Sequence, residues 1–123
     1  MANHYPKVVV LVVEDQPFLR VAAVDLVQDA GFEAIAAKDA DQAILFLQAR
    51  ADIAIVFTDV EMPGSMDGLA LAVAVRGRWP LIELIITSGH RHVGVGELPA
   101  RSVFLRKPYA DYEIAAMLHR MAA

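Results

Sequence analysis

Residues 8–15, with the sequence VVVLVVED, decide the fold of this chain. Six consecutive apolar residues, five of them valine, predict a strand that is buried on both faces of a parallel sheet. Residues 53–58 form a second apolar run of the same character, and Asp59 follows it. Because ligands bind at the carboxyl ends of strands in such sheets, Glu14, Asp15 and Asp59 are expected to converge in one crevice.

Three carboxylates in one crevice repel one another and raise one another's pKa values. A hard cation that prefers oxygen ligands relieves this repulsion, and Mg²⁺ suits a site with few carboxylates and several waters. The sequence therefore predicts a magnesium site built around one reactive aspartate.

The composition limits the other classes of function. A chain of 123 residues with 57% hydrophobic content is sufficient for one domain, and we expect a single domain over residues 1–123. The net charge of -4 gives no broad attraction to nucleic acid or to an anionic membrane. Cysteine is absent, which excludes disulfides and thiolate chemistry, and no apolar stretch approaches a membrane span. These absences together predict a cytoplasmic protein.

Strand-like runs alternate with segments of helix length along the chain. Strands are predicted at residues 8–13, 33–37, 53–58, 81–87 and 102–105. The first helix is predicted from Pro17 to Gly31, with apolar residues at helical spacing: Phe18, Val21, Ala22, Leu26 and Ala30. Asp39 and Asp67 are predicted to cap the next two helices, and a last helix begins at Tyr109 or Asp111.

Strict alternation of strands and helices predicts a three-layer α/β/α fold, in which a five-stranded parallel sheet carries helices on both faces. The pattern allows up to five helices. The stretch between His90 and Arg101 contains Gly94, Gly96 and Pro99, so any helix there is expected to be short or irregular.

The residues at the strand ends resemble the signature of two-component response regulator receiver domains. They are Glu14 and Asp15 after the first strand, Asp59 after the third, Met62 and Pro63 in the following loop, Thr87 after the fourth, and Lys107 with Pro108 after the fifth. The resemblance implies a doubly wound, flavodoxin-like (CheY-like) fold with strand order 2-1-3-4-5. It also implies that a histidine kinase or a histidine phosphotransfer protein donates a phosphoryl group to the chain, and small phosphodonors can serve as well.

In-line phosphoryl transfer needs a nucleophilic oxygen, a cation and donors around the transferring group. Asp59 is the predicted phosphoacceptor. Asp15 is the better direct Mg²⁺ ligand, whereas Glu14 is expected to act through water. The resemblance implies the backbone carbonyl of Glu61 as a third protein ligand.

Residues near the predicted phosphoacceptor complete the expected machinery. Lys107 brings a compact positive charge that can pair with Asp59 and then with a phosphoryl oxygen. The resemblance implies that the Thr87 hydroxyl moves to the phosphate, that Phe104 is the aromatic switch that follows it, and that the bond before Pro108 is cis. Such a protein catalyses only its own phosphorylation and dephosphorylation, and is otherwise not an enzyme.

Several alternatives remain open at this point. Glu14 and Asp15 by themselves can be caps of the first helix. A flavodoxin-like FMN binder and a haloacid dehalogenase-type phosphatase share parts of the pattern. However, two acids after the first strand repel FMN, and Glu61 stands where that phosphatase carries a second aspartate. A receiver-like module that acts without phosphorylation is the closest rival, and its usual mark is a missing acid or lysine.

The output and the context of the domain are expectations as well. With no effector domain in the chain, the output is expected to be a contact with an unknown target protein or a phosphate relay, without nucleic acid or membrane. Homodimer formation is left open. We expect a stand-alone receiver or a receiver cut from a larger sensor kinase. Glu61 beside Asp59 can repel an anionic phosphodonor or orient an attacking water, which leaves the phosphoryl lifetime open.

Overall fold

The computed structural model describes residues 7–123, so residues 1–6 of the predicted domain lie outside the described part. The strands are β1 (Val9–Val13), β2 (Glu33–Ala37), β3 (Ile53–Asp59), β4 (Glu83–Ser88) and β5 (Ser102–Arg106), and the helices are α1 (Pro17–Asp29), α2 (Ala40–Ala49), α3 (Gly68–Arg78) and α4 (Asp111–Ala122). All strand pairs are parallel, in the order β2-β1-β3-β4-β5. The predicted fold and strand order are confirmed.

Helices cover both faces of the sheet. Side chains of α2 and α3 pack against one face, where Leu11, Val56 and Ile86 are buried. Side chains of α1 and α4 pack against the other face, where Val12 and Ile85 are buried. Because successive strand residues point to opposite faces, the central strands read as unbroken apolar runs. None of the helices within residues 7–123 has both the length and the apolar character to cross a membrane.

Two helices begin at the predicted caps. The Asp39 carboxylate accepts a hydrogen bond of 2.8 Å from the Gln42 amide, and the Asp67 carboxylate accepts one of 2.8 Å from the Ala70 amide. Each cap satisfies an amide that has no partner within its helix. These caps therefore fix the residues at which α2 and α3 begin.

The predicted spacing in α1 does not describe its buried face. Phe18 is 92% exposed and Val21 is 60% exposed, whereas Ala23, Leu26 and Val27 are buried against the sheet. Apolar residues occur almost all the way round this helix, so its periodicity alone does not identify the face that packs on the sheet.

The described residues form four α-helices, within the predicted limit of five. Between β4 and β5 the described chain forms only a single 3-10 turn, Val95–Glu97, as the glycines and Pro99 lead one to expect. Arg91 stabilises this segment, since its guanidinium lies 2.8 Å from the Glu97 carboxylate and 3.8 Å from that of Asp67. The loop between the two strands is thus held by polar contacts.

Arg76 connects the end of α3 to the segments that precede β4 and β5. Its guanidinium donates hydrogen bonds to the backbone carbonyls of Trp79, Pro80, Ile82, Ala100 and Arg101. These carbonyls belong to the segments that lead into β4 and β5, and a planar guanidinium with five N–H groups can serve them together. One side chain therefore fixes the entry to two neighbouring strands.

Gly68, the first residue of α3, lies against the backbone of Asp59 and Val60. A Cβ at this position would come within 1.9 Å of the Asp59 carbonyl oxygen and within 2.9 Å of the Val60 Cα. The Gly68 amide also donates a hydrogen bond of 2.9 Å to the Val60 carbonyl. Glycine is needed here because two backbone segments approach each other closely.

Gly68→Ala is expected to destabilise the protein by about 2 to 3 kcal/mol, because the methyl group would force two backbone segments apart. Gly77→Ala in the same helix is the matched control. No atom lies within 4 Å of a Cβ placed at Gly77. That variant is expected to gain about 0.5 to 1 kcal/mol from the higher helix propensity of alanine. Urea unfolding measures both, and equal stabilities for the two variants would contradict the packing argument.

Candidate functional site

The carboxyl ends of β1 and β3 bring the three predicted acids together. Glu14, Asp15 and Asp59 each offer one carboxylate oxygen, and these oxygens lie within 4.8 Å of one another. Glu14 is only 6% exposed and Asp59 only 7% exposed. The expectation that the acids share one crevice is confirmed by their positions.

Lys107, directly after β5, places its ammonium group between two of these acids. Its Nζ donates a hydrogen bond of 3.1 Å to Asp59 Oδ2 and lies 3.7 Å from Glu14 Oε1. The Lys107 amide donates to the Ser88 carbonyl, which fixes the base of the lysine to the end of β4. One positive charge thus faces three neighbouring carboxylates.

Burial dominates the electrostatics of the acids. The pKa of Glu14 is raised to about 7, chiefly by desolvation and further by the neighbouring Asp15 and Asp59, against the opposing effects of the Gln16 amide and Lys107. Desolvation also raises the pKa of Asp59, and the Glu61 charge adds to this, whereas Lys107 lowers it. The lysine therefore balances the buried negative charge only in part.

Two carboxylate oxygens in this cluster lack hydrogen-bond partners. Asp15 Oδ1 and Asp59 Oδ1 are buried and accept no hydrogen bond from residues 7–123. Unpaired buried carboxylate oxygens are costly, and oxygens of this kind are the ligands that Mg²⁺ prefers. The donor set and its uncompensated charge fit a magnesium ion.

Arg20 is a residue of this site that the sequence did not reveal. Its guanidinium donates hydrogen bonds to the backbone carbonyls of Glu14, at 3.0 Å, and Asp15, at 3.3 Å. The side chain therefore fixes the turn on which two of the acids stand. The sequence offered one signal for this contact, a basic residue in the first helix five positions after Asp15.

The remaining predicted residues also lie at this edge of the sheet. Thr87 is paired in register with Asp59 and is buried, and its hydroxyl donates to the Thr58 carbonyl at 3.5 Å. Phe104 is half-buried and packs against the core on the α2 and α3 side. The Lys107–Pro108 bond is cis. The switch roles of Thr87 and Phe104 stay predictions.

Glu61 lies two residues after Asp59, and its side chain points to the end of β4. Its carboxylate accepts a hydrogen bond of 2.6 Å from the Ser88 hydroxyl and one of 3.1 Å from the Gly89 amide. Sequence reasoning placed an acid here but had no signal for its partner. The metal-ligand role of the Glu61 carbonyl stays a prediction.

A cleft of about 420 Å³ leads away from the acids, between α1 and α4. Glu14, Asp59 and Lys107 lie at one end of it. The rest of the wall is mostly apolar and includes Leu19, Ala22, Ala23, Leu26, Phe57 and Tyr109. A reacting group that enters this cleft meets the carboxylates next to an apolar surface.

The comparisons with known sequences point to one family. The sequence profile of the response regulator receiver domain matches residues 10–119. The nitrogen assimilation regulatory protein NtrX of Azorhizobium caulinodans is 31% identical over 115 residues, which cover 90% of this chain and 25% of that protein. The chain spans about a quarter of the length of the curated relatives it matches.

Solved structures agree with this assignment. A response regulator receiver protein from Sinorhizobium medicae WSM419 has a TM-score of 0.86 to this structure and 25% sequence identity, over 94% of each chain. The response regulator protein TrrA from Thermotoga maritima, solved in complex with Mg²⁺ and BeF, has a TM-score of 0.79 and 21% identity, over 92% of this chain and 97% of that chain. The second likeness shows the fold alone.

Glu14→Gln is expected to stabilise the metal-free protein at pH 8 by about 1 to 2 kcal/mol, because it removes a buried charge at nearly constant shape. The Glu14 pKa rises on folding, from 4.5 to about 7. The folded protein therefore holds a proton that the unfolded chain releases, and stability falls as the pH rises through this window.

Urea unfolding in EDTA at pH 5 and pH 8 measures this effect. The advantage of Glu14→Gln should be present at pH 8 and largely lost near pH 5, where the wild-type carboxyl is protonated in the folded state. Added Mg²⁺ should stabilise the wild type more than the variant. An advantage of equal size at both pH values would show that the pKa of Glu14 is not raised.

Proposed function

This chain belongs to the response regulator receiver domain family, and we propose that it accepts a phosphoryl group on Asp59 from a histidine kinase or a histidine phosphotransfer protein. Proteins of this family work with histidine kinases. The observation that carries the proposal is the contact of Lys107 with Asp59 beside Glu14 and Asp15, where two carboxylate oxygens lack partners. Acid, counter-charge and cation ligands are the parts that phosphoryl transfer needs.

In the proposed reaction an Asp59 carboxylate oxygen attacks the phosphorus of a phosphohistidine. The new O–P bond forms as the P–N bond breaks, and the imidazole leaves with the electron pair of that bond and takes a proton from solvent. Lys107 moves its ammonium from the Asp59 carboxylate toward a phosphoryl oxygen, which keeps a positive charge next to the added negative charge. No other protein group changes its covalent bonds.

Asp15, Glu14 and the backbone carbonyl of Glu61 are the groups we propose to hold Mg²⁺, with Asp59 as a further ligand. When bound, the ion neutralises negative charge on the transferring group. Arg20 supports this arrangement because it holds the carbonyls of Glu14 and Asp15. The acids are thereby kept in place although they repel one another.

The proposed response to phosphorylation starts at Thr87. Its hydroxyl now donates to the Thr58 carbonyl at 3.5 Å, a long and weak hydrogen bond. A phosphoryl oxygen on Asp59 is a stronger acceptor because it is charged. Movement of Thr87 toward it would change the packing of the half-buried Phe104, and the face around β5 would then bind a target protein differently.

We further propose one receiver domain over residues 1–123 that acts in the cytoplasm and passes its signal by protein contact. The net charge of -4 gives no support for nucleic-acid binding by this chain. Its catalysis is limited to its own phosphorylation and dephosphorylation. Phenylalanine at position 104 has no hydroxyl, so a partner that binds this face would contact an apolar ring.

Incubation with acetyl phosphate and Mg²⁺ is expected to add about 80 Da to the wild-type protein, the mass of one phosphoryl group. Intact-mass spectrometry on rapidly quenched samples measures it. Asp59→Asn is the matched control, since it keeps the shape and removes the nucleophile. Lys107→Met should lower the phosphorylated fraction at least about tenfold through loss of the ammonium group.

A mass gain in Asp59→Asn equal to that of the wild type would place the phosphoryl group elsewhere. Absence of any gain, repeated with several phosphodonors and with a histidine phosphotransfer protein, would favour a module that acts without phosphorylation.

A further inference from the structure

The Glu61 carboxylate joins the loop after β3 to the segment after β4. It accepts hydrogen bonds from the Ser88 hydroxyl at 2.6 Å, from the Gly89 amide at 3.1 Å and from the His90 amide at 3.4 Å. Hydrogen bonds to a carboxylate are roughly twice as strong as neutral ones. We call this set of contacts the Glu61–Ser88 clasp.

Ser88 is the centre of the clasp. It is fully buried, and its oxygen accepts hydrogen bonds from the Arg91 amide at 2.9 Å and from the His90 amide at 3.3 Å while its hydrogen is donated to Glu61. One hydroxyl therefore holds two consecutive amides beyond the sheet, and Glu61 holds the Gly89 amide that precedes them. A segment without an α-helix gains its order here from two side chains.

The clasp lies next to the residue proposed to respond to phosphorylation. Ser88 follows Thr87 directly, and its carbonyl accepts a hydrogen bond of 2.9 Å from the Lys107 amide. The Thr87 carbonyl in turn accepts a hydrogen bond of 2.8 Å from the Val60 amide. Ser88, the direct neighbour of Thr87 in the chain, is therefore held both at its side chain and at its carbonyl.

We propose that the Glu61–Ser88 clasp holds the segment after β4 in its unphosphorylated arrangement, and that a phosphoryl group on Asp59 opens it. This inference rests on the proposed function. It adds a positioning role for two side chains, Glu61 and Ser88, which act through Thr87 and through the segment that they order.

Electrostatics supplies the reason for opening. The Glu61 charge already acts on Asp59, since it contributes to the raised pKa of that carboxyl after the larger effect of burial. A phosphoryl group adds further negative charge beside Glu61, and like charges at short range repel. At the same time the phosphoryl oxygens attract the Thr87 hydroxyl, whose movement pulls on Ser88. Both effects act against the closed clasp.

Amide hydrogen exchange, followed by NMR, tests the clasp in the unphosphorylated protein. Ser88→Ala should raise the exchange rates of the Gly89, His90 and Arg91 amides at least about tenfold and leave those of the central strands unchanged. Ser65→Ala is the matched control, because Ser65 also donates to a carboxylate, that of Asp41, at 2.5 Å. That variant should leave the three amides unchanged. Equal rates in wild type and Ser88→Ala would overturn the clasp.

Phosphorylation of the wild type with acetyl phosphate and Mg²⁺, checked by intact mass, tests the opening. The same three amides should exchange at least about tenfold faster in the phosphorylated protein. Ser88→Ala should be phosphorylated several-fold faster than the wild type, under conditions in which both proteins are fully folded. Glu61→Gln keeps a hydrogen-bond acceptor but removes the charge. On phosphorylation, exchange at the three amides should therefore increase less in this variant than in the wild type, because only the pull of Thr87 remains.

The outcomes separate the two levels of the inference. A mass gain without faster exchange at these amides overturns the opening of the clasp and leaves the proposed function standing. Absence of a mass gain in all variants overturns the proposed function and the opening together. Opening in Glu61→Gln to the same extent as in the wild type overturns the electrostatic cause.

Discussion

The rest of the structure depends on one unbalanced group of charges. Glu14, Asp15 and Asp59 bring their carboxylates together at the edge of the sheet, and within the described residues the Lys107 ammonium is the cation that touches them. The carboxylates repel one another, and they stay close because the strands that carry them are held rigidly in the sheet. The parallel sheet supplies that rigidity, since β1, β3 and β5 end at the same edge. Burying like charges together lowers the stability of the fold, and the Mg²⁺ ion that we propose for this site would offset that cost.

Much of this arrangement was readable from the sequence because it depends on order along the chain. Valine-rich runs identify buried parallel strands. The residue that follows such a strand lies at the carboxyl-end edge of the sheet, where ligands bind, and its position can be assigned from the sequence alone. That reasoning brought Glu14, Asp15 and Asp59 to one edge of the sheet, where the structure has them. Lys107 was indicated by the family resemblance. The caps Asp39 and Asp67 were also readable, because capping is a local interaction between residues three positions apart.

Features that depend on contacts between distant segments were not readable. The buried face of α1 is set by the sheet beneath it, and Phe18 belonged to the apolar pattern although it is exposed. The partner of Glu61 is Ser88, 27 positions further on, and no spacing rule connects them. Gly68 is required by the Asp59 carbonyl that lies against it, and no local pattern marks that contact. In each case the physical cause is tertiary packing, which one-dimensional patterns do not contain.

The contact between Gly68 and the backbone of Asp59 has a mechanical consequence. A helix is a stiff rod, and α3 starts where it touches the residue that we propose to carry the phosphoryl group. A small displacement of that residue's main chain therefore cannot be absorbed by an intervening side chain, because none is present. The other end of α3 is held by the five carbonyl contacts of Arg76, so the helix is fixed at both ends. The absence of a side chain at Gly68 therefore couples the main chain of Asp59 directly to the start of α3.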